Sequence, residues 1–228
     1  MDFLEGLSKK ELKTQLLQSL LRNDCEHVEK IIKKDESILN EEICNINRYN
    51  SYSCPIIIAC QYSGLKMMKL LIRLGAKVDV CDSIKGCSLF SYAIEKQKGC
   101  EIMELLLEQG LNVNSQYNVD NWTPLMKAAS MSKKELCVYL IGKGADLELK
   151  DIRENTAVMI ACGFDSIEIA KMLMECGSYM WSEDIDGSNV LDYLLSNNRV
   201  LDMMTKSFIE ELYREKTRLL RGLDDDHH

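Results

Sequence analysis

A chain of 228 residues with 46% hydrophobic side chains can bury a sizeable core, which excludes a disordered polymer. Its net charge of -8 works against the general attraction to phosphate backbones on which nucleic-acid binding rests. The longest purely apolar run, near Pro55 to Cys60, falls far short of the roughly 20 residues that span a bilayer, and the opening MDFLEGLSKKELK lacks the apolar core of a signal peptide, so the protein reads as cytoplasmic.

From the N-terminus, QLLQSLLRNDCEHVEKIIKKD (15–35) spaces its apolar residues by three and four, the pattern of two helices with buried faces. It lacks a Thr-Pro start and a terminal glycine, and reads as a degenerate cap with one face turned to water. The insert ESILNEEICNINRYNSYS (36–53) reads as an elongated loop or finger. One theme then returns five times, as CPIIIAC (54–60), SLFSYAI (88–94), TPLMKAA (123–129), TAVMIAC (156–162) and NVLDYLL (189–195). The last three lie 33 residues apart and the upstream ones slightly further.

The first four are each followed by a second helical segment that stops at Gly75, Gly110, Gly144 or Gly177, where glycine tolerates the left-handed conformation of a C-cap. The stretch VLDMMTKSFIEELYREKTRLLRG (200–222) predicts a long terminal helix, with Leu201, Met204, Phe208, Leu212 and Leu219 as its apolar stripe. Its late part is basic, a favourable charge near a helix C-terminus. Arg214, Lys216, Arg218 and Arg221 also offer a docking site for an acidic partner.

The 33-residue unit, the Thr-Pro-Leu start with paired small residues in DNWTPLMKAAS (120–130), and the Gly-Ala-Asp ending in GKGADLELKD (142–151) together closely resemble the ankyrin repeat, over about residues 12–220. The resemblance implies an all-α repeat solenoid of five or six stacked helix-turn-helix units with β-turn fingers. The expected division is a degenerate N-terminal capping repeat and insert (1–48), four repeats (49–182), a C-terminal capping repeat with extended helix (183–222) and an acidic tail (223–228). The histidine that follows Thr-Pro-Leu in the family is replaced by Ile57, Ser91, Met126, Met159 and Asp192, so the hydrogen bonds credited to it there do not carry over.

No catalytic, cofactor or metal constellation is legible. His27 is the one internal histidine, and Cys25, two residues away, points elsewhere on a helix. No phosphate loop, dinucleotide turn or His-Glu-x-x-His helix occurs. The ten cysteines are scattered with no Cys-x-x-Cys pair, which argues against zinc. Cys60 and Cys162, each after an alanine, read as small buried hydrophobes.

In the family, the residues before the threonine and those after the paired small residues line a concave surface that commonly binds partners. The first column holds Ser53, Cys87, Trp122, Asn155 and Ser188; the second includes Tyr62, Lys96, Met131 and Phe164. Tyr62, Trp122, Met131, Asn155, Phe164 and Ser188 are therefore the expected partner-binding residues, with Trp122 as an anchor, because aromatics dominate interfaces. The expected function is a non-enzymatic protein-interaction module, an adaptor or scaffold that docks a protein or peptide on its concave face. The alternatives are a regulatory subunit of an enzyme or a fixed component of a large assembly, for instance cytoskeletal. The resemblance also makes Asn114 a candidate for hydroxylation.

Overall fold

Helix α1 (Lys9–Leu21) starts where Ser8 and Glu11 cap each other: the Glu11 N–H donates to Ser8 Oγ at 3.4 Å, and the Ser8 N–H donates to Glu11 Oε2 at 2.8 Å. These coordinates are a computed structural model, which describes residues 4–45, 51–83, 86–196, 206–214 and 217–218. The chain divides into two compact units, Met1–Pro124 and Leu125–His228.

In the first unit, α1 packs on α2 (Cys25–Lys34), whose N-terminus is capped by Asp24. Leu12, Leu16, Leu17 and Leu20 are buried with Val28, Ile31 and Ile32. The sequence lacks the repeat signature here, yet the helix pair forms because both apolar faces match. The insert read as a finger is a hairpin, in which β1 (Ile43–Asn45) pairs antiparallel with β2 (Ser51–Ser53) and Ile43 lies opposite Ser53. It is tied to α1 by Lys13 and Lys9, whose ammonium groups lie 2.8 and 2.6 Å from the Glu41 carboxylate and hold its pKa down to about 2.

Next come α3 (Pro55–Ile58), continued by a π turn (Ala59–Ser63), and then α4 (Leu65–Arg73), α5 (Leu89–Ile94) and α6 (Gly99–Glu108). The second unit holds α7 (Pro124–Ser130), α8 (Lys134–Gly142), α9 (Ala157–Gly163), α10 (Ile167–Glu175), α11 (Val190–Ser196) and a helical segment over 206–214. Each short inner helix is followed by an outer one. The inner helices carry the paired small residues Ala59 and Cys60, Ala128 and Ala129, and Ala161 and Cys162, all without exposed surface. Side chains of this size let neighbouring helices approach closely.

The outer helices α4, α6, α8 and α10 end as their glycines predict. Gly75, Gly110, Gly144 and Gly177 have φ of +97°, +88°, +87° and +97°. The following N–H of Ala76, Leu111, Ala145 and Ser178 reaches back to the carbonyl of Leu71, Leu106, Leu140 and Leu173 at 2.9, 3.2, 3.0 and 3.0 Å. In the terminal segment Phe208, Ile209 and Leu212 are buried, and the Lys171 ammonium of α10 lies 5.0 Å from the centre of the Phe208 ring. Leu201, Met204, Lys216, Leu219 and Arg221, named in the predicted helix, lie outside the described residues. No helix among the described residues is long and apolar enough to cross a membrane.

Burial pushes the thiols of Cys60, Cys137 and Cys162 up to about 12, so they are protonated at neutral pH as well as enclosed. Cys81 and Cys176 are exposed. Brief iodoacetamide treatment of the native protein, read by peptide mass, is expected to label Cys81 and Cys176 and to spare the three buried thiols until urea unfolds the chain. Labelling of Cys60 or Cys162 as fast as Cys176 contradicts this packing.

Candidate partner-binding surface

Every finger is closed by its first and last residue. The Asp151 N–H donates to the Asn155 carbonyl at 3.0 Å and the Asp184 N–H to the Ser188 carbonyl at 2.9 Å. In the first unit Asp82 does the same with Cys87 at 3.0 Å, while Tyr117 and Trp122 exchange both bonds at 3.1 Å. The first-unit fingers hold one residue more between these ends than the second-unit fingers, which is one source of the longer upstream repeat spacing.

This geometry decides the fate of the column before the threonine. Its members form the closing rungs of the fingers, so Ser53 and Asn155 are buried, and Cys87, Trp122 and Ser188 are half-buried. Trp122 sits in the ladder and does not project from the turn. Asn155, only 7% exposed, is engaged internally: its N–H donates to Asp151 Oδ1 at 2.8 Å and its Nδ2 to Asp151 Oδ2 at 3.3 Å.

The second column behaves differently. Between the inner and outer helices of three repeats the backbone makes the same bond, from Gly64, Lys133 and Ser166 N–H to the carbonyls of Ala59, Ala128 and Ala161 at 2.8, 3.0 and 2.8 Å. Tyr62, Met131 and Phe164 each stand two residues before the donor, at one equivalent point of the turn. Tyr62 is 42% and Phe164 55% exposed, and Met131 is half-buried. Lys96 fills the same column beyond α5, with its ammonium bonded to the Gln61 carbonyl.

A polar latch below the second-unit fingers has no counterpart in the sequence reading. The Tyr193 hydroxyl lies 2.8 Å from Asp184 Oδ2 and 2.7 Å from Asn155 Oδ1, its one proton shared between two acceptors from successive fingers. Its ring packs on Gly163, where an added Cβ would come within 3.3 Å of the ring. Burial, and then the Asp184 carboxylate, push the Tyr193 hydroxyl up to about 12. Burial by itself would raise Asp184, but the Ser188 N–H, the Tyr193 hydroxyl, the Asp186 N–H and the Arg153 charge together hold it below the usual carboxylate range. Tyr92 makes a similar bond to Asp82 in the first unit. Both tyrosines stand one position past the missing histidine, each with an aspartate at the base of its own finger; that pairing was the available signal.

Neighbouring fingers are also joined directly. The Ile185 N–H donates to the Arg153 carbonyl at 3.0 Å, and the Arg153 guanidinium meets Asp186 at 2.6 Å. In the first unit the Asn118 N–H donates to the Gly86 carbonyl at 3.1 Å. Val119, Ile152 and Ile185 are left exposed at the tips. Asn114 is half-buried, and its N–H donates to Asn112 Oδ1 at 2.9 Å. Arg214 pairs with Glu210 at 3.7 Å on an exposed helix face.

Stacked helix pairs, fingers and glycine-ended outer helices define an ankyrin-type repeat protein. The chain belongs to the ankyrin-repeat family: the family model described as "Ankyrin repeats (3 copies)" matches residues 16–117, 56–151 and 90–184. Ankyrin repeats generally mediate protein–protein interaction, and the family is typically non-enzymatic. Among similar proteins, "Ankyrin repeat protein nuc-2" of Neurospora crassa is 26% identical over 160 residues, covering 70% of this chain and 14% of that protein. "Ankyrin repeat, SAM and basic leucine zipper domain-containing protein 1" of Neofelis nebulosa is 33% identical over 85 residues, 37% of this chain and 17% of that one. "Putative ankyrin repeat protein FPV014" of Fowlpox virus is 26% identical over 134 residues, 58% of this chain and 30% of that one. The chain thus spans less than a third of each of these relatives.

The latch sets a pH window. Asp184 is lowered, so its stabilisation is present above the ordinary aspartate value of about 3.9 and is lost as pH falls through the folded value. Tyr193 is raised, so its stabilisation is present below about 10 and is lost as pH rises through about 12. Tyr193→Phe is expected to cost about 1–3 kcal/mol near neutrality in urea melts and to shrink the fall in stability across that alkaline range. Unchanged melting at both pH values means the latch contributes nothing.

Proposed function

We propose that this chain is a non-enzymatic adaptor or scaffold module that docks a protein or peptide through the turns linking inner and outer helices. The observation that carries the reading is Phe164, 55% exposed on a turn whose backbone bond recurs from repeat to repeat. An aromatic side chain on a rigid support loses little conformational entropy on binding, which is why such residues become anchors. Within the second unit Met131 occupies the equivalent point and extends the apolar contact, while Ser188 contributes only the part of its surface that the fingers leave open; Tyr62 and Trp122 hold the corresponding positions of the first unit. Asn155 is left out of this surface because its amide is spent inside the fold. The scattered free thiols suit a reducing compartment, so we place the protein's work in the cytosol.

The test is affinity purification from native lysate with the full chain and with Phe164→Ala. A stoichiometric protein partner should be retained by the first and bind the second about 30-fold more weakly, the equivalent of about 2 kcal/mol for a central anchor, with melting changed by less than about 1 kcal/mol. A variant that melts normally and keeps its partner at full affinity overturns the assignment.

A further inference from the structure

Two outer helices of the first unit, α2 and α4, carry a charge opposite to that of the chain. Helices α2 and α4 pack side by side and together bear six Lys or Arg and two Glu, in a protein of net charge -8. On α4, Lys66, Lys69 and Arg73 recur at helical spacing on the exposed side, opposite the buried Met67, Met68 and Leu71. Lys30, Lys33 and Lys34 are exposed on α2. Glu29 engages two of the six cations, Lys33 at 3.0 Å and Arg73 at 3.5 Å. Lys30, Lys34, Lys66 and Lys69 have no carboxylate partner among the described residues. The next outer helix, α6, reverses the sign with exposed Glu101, Glu104 and Glu108, so the positive face has an edge.

Between α2 and α4 runs a groove of about 290 Å³, lined from α2 by Cys25, Glu26 and Glu29 and from α4 by Lys66, Lys69, Leu70 and Arg73; Glu29 is spent on Lys33 and Arg73, which leaves Lys66 and Lys69 as the open cations of the α4 wall. From this juxtaposition we infer a second docking site, separate from the turn surface, that takes an acidic peptide segment of a protein partner, its carboxylates on Lys66 and Lys69 of α4 and on the exposed lysines of α2. Charge complementarity selects this occupant. A bilayer is disfavoured because no large apolar side chain is exposed on α2 or α4 to enter it. A nucleic acid would meet the repulsion of the whole acidic chain over many phosphates, whereas a short acidic segment responds to the local field. Unpaired surface lysines of this kind set association rate and partner choice more than affinity.

The probe is a fluorescein-labelled peptide of Glu-Glu-Leu repeats, about twelve residues long, titrated with the full chain by anisotropy. Binding should weaken several-fold between about 50 and about 300 mM salt. It should fall at least about tenfold in Lys66→Gln/Lys69→Gln/Arg73→Gln, and also in Lys66→Gln/Lys69→Gln, which keeps the Arg73–Glu29 pair; Phe164→Ala should bind as the parent does. Circular dichroism melts confirm that the exposed substitutions leave the fold intact. The inference is overturned if the peptide does not bind, if the lysine variants bind it equally well, if Phe164→Ala abolishes binding, or if phosphatidylserine vesicles or a single-stranded DNA of equal charge bind more tightly than the peptide.

Discussion

Among the described residues the longest helix has 13 residues, a length at which an isolated helix is marginal in water. Everything else follows from the need to bury two sides of such helices at once. A single pair covers one side of each member, and the other side must be covered by the next pair along the chain. This is why the positions that never face water include alanine and cysteine as well as leucine: Ala59, Cys60, Ala128, Ala129, Ala161 and Cys162 have no exposed surface. Enlarging one of them would press adjacent helices apart, at a cost typical of overpacked cores.

Close stacking brings the loops together as well, and loops carry backbone groups that must find partners. The fingers meet this demand with short ladders and with aspartates that accept several N–H bonds each. Asp151 receives the N–H groups of Arg153 and Asn155 at 2.8 Å, and Asp184 those of Asp186 and Ser188 at 2.9 Å. Tyrosines 92 and 193 bind two of the finger aspartates to the inner helices without the family's histidine. The fingers are thus rigid at their base, while Val119, Ile152 and Ile185 remain exposed at their tips.

The two proposed docking surfaces lie on different parts of this scaffold. The turns after the inner helices expose aromatic side chains at a repeated backbone position, whereas the outer helices α2 and α4 expose cations around a shallow groove. Apolar anchors contribute affinity through desolvation, and unpaired charges contribute selectivity and rate. Neither surface asks for a catalytic group. Cys25 and His27, the sole thiol and imidazole close in sequence, are joined by no hydrogen bond among the described residues.

The sequence by itself determined the repeat, its helix pairs and their ends, because small residues, Thr-Pro-Leu and the four glycines are local requirements of backbone and packing, readable from period and residue type. It also marked Cys60 and Cys162 as buried thiols. The hairpin at 43–53 was legible only as an insert, since three-residue strands leave too few residues for an alternating pattern. Exposure along the two candidate columns was decided by tertiary structure alone: Asn155 and Phe164 look equally available in sequence, yet the first closes a finger and bonds to a tyrosine 38 residues away, while the second sits on a turn that nothing covers enough to bury. A hydrogen bond at that separation depends on how successive repeats stack, and no local pattern of residues encodes it.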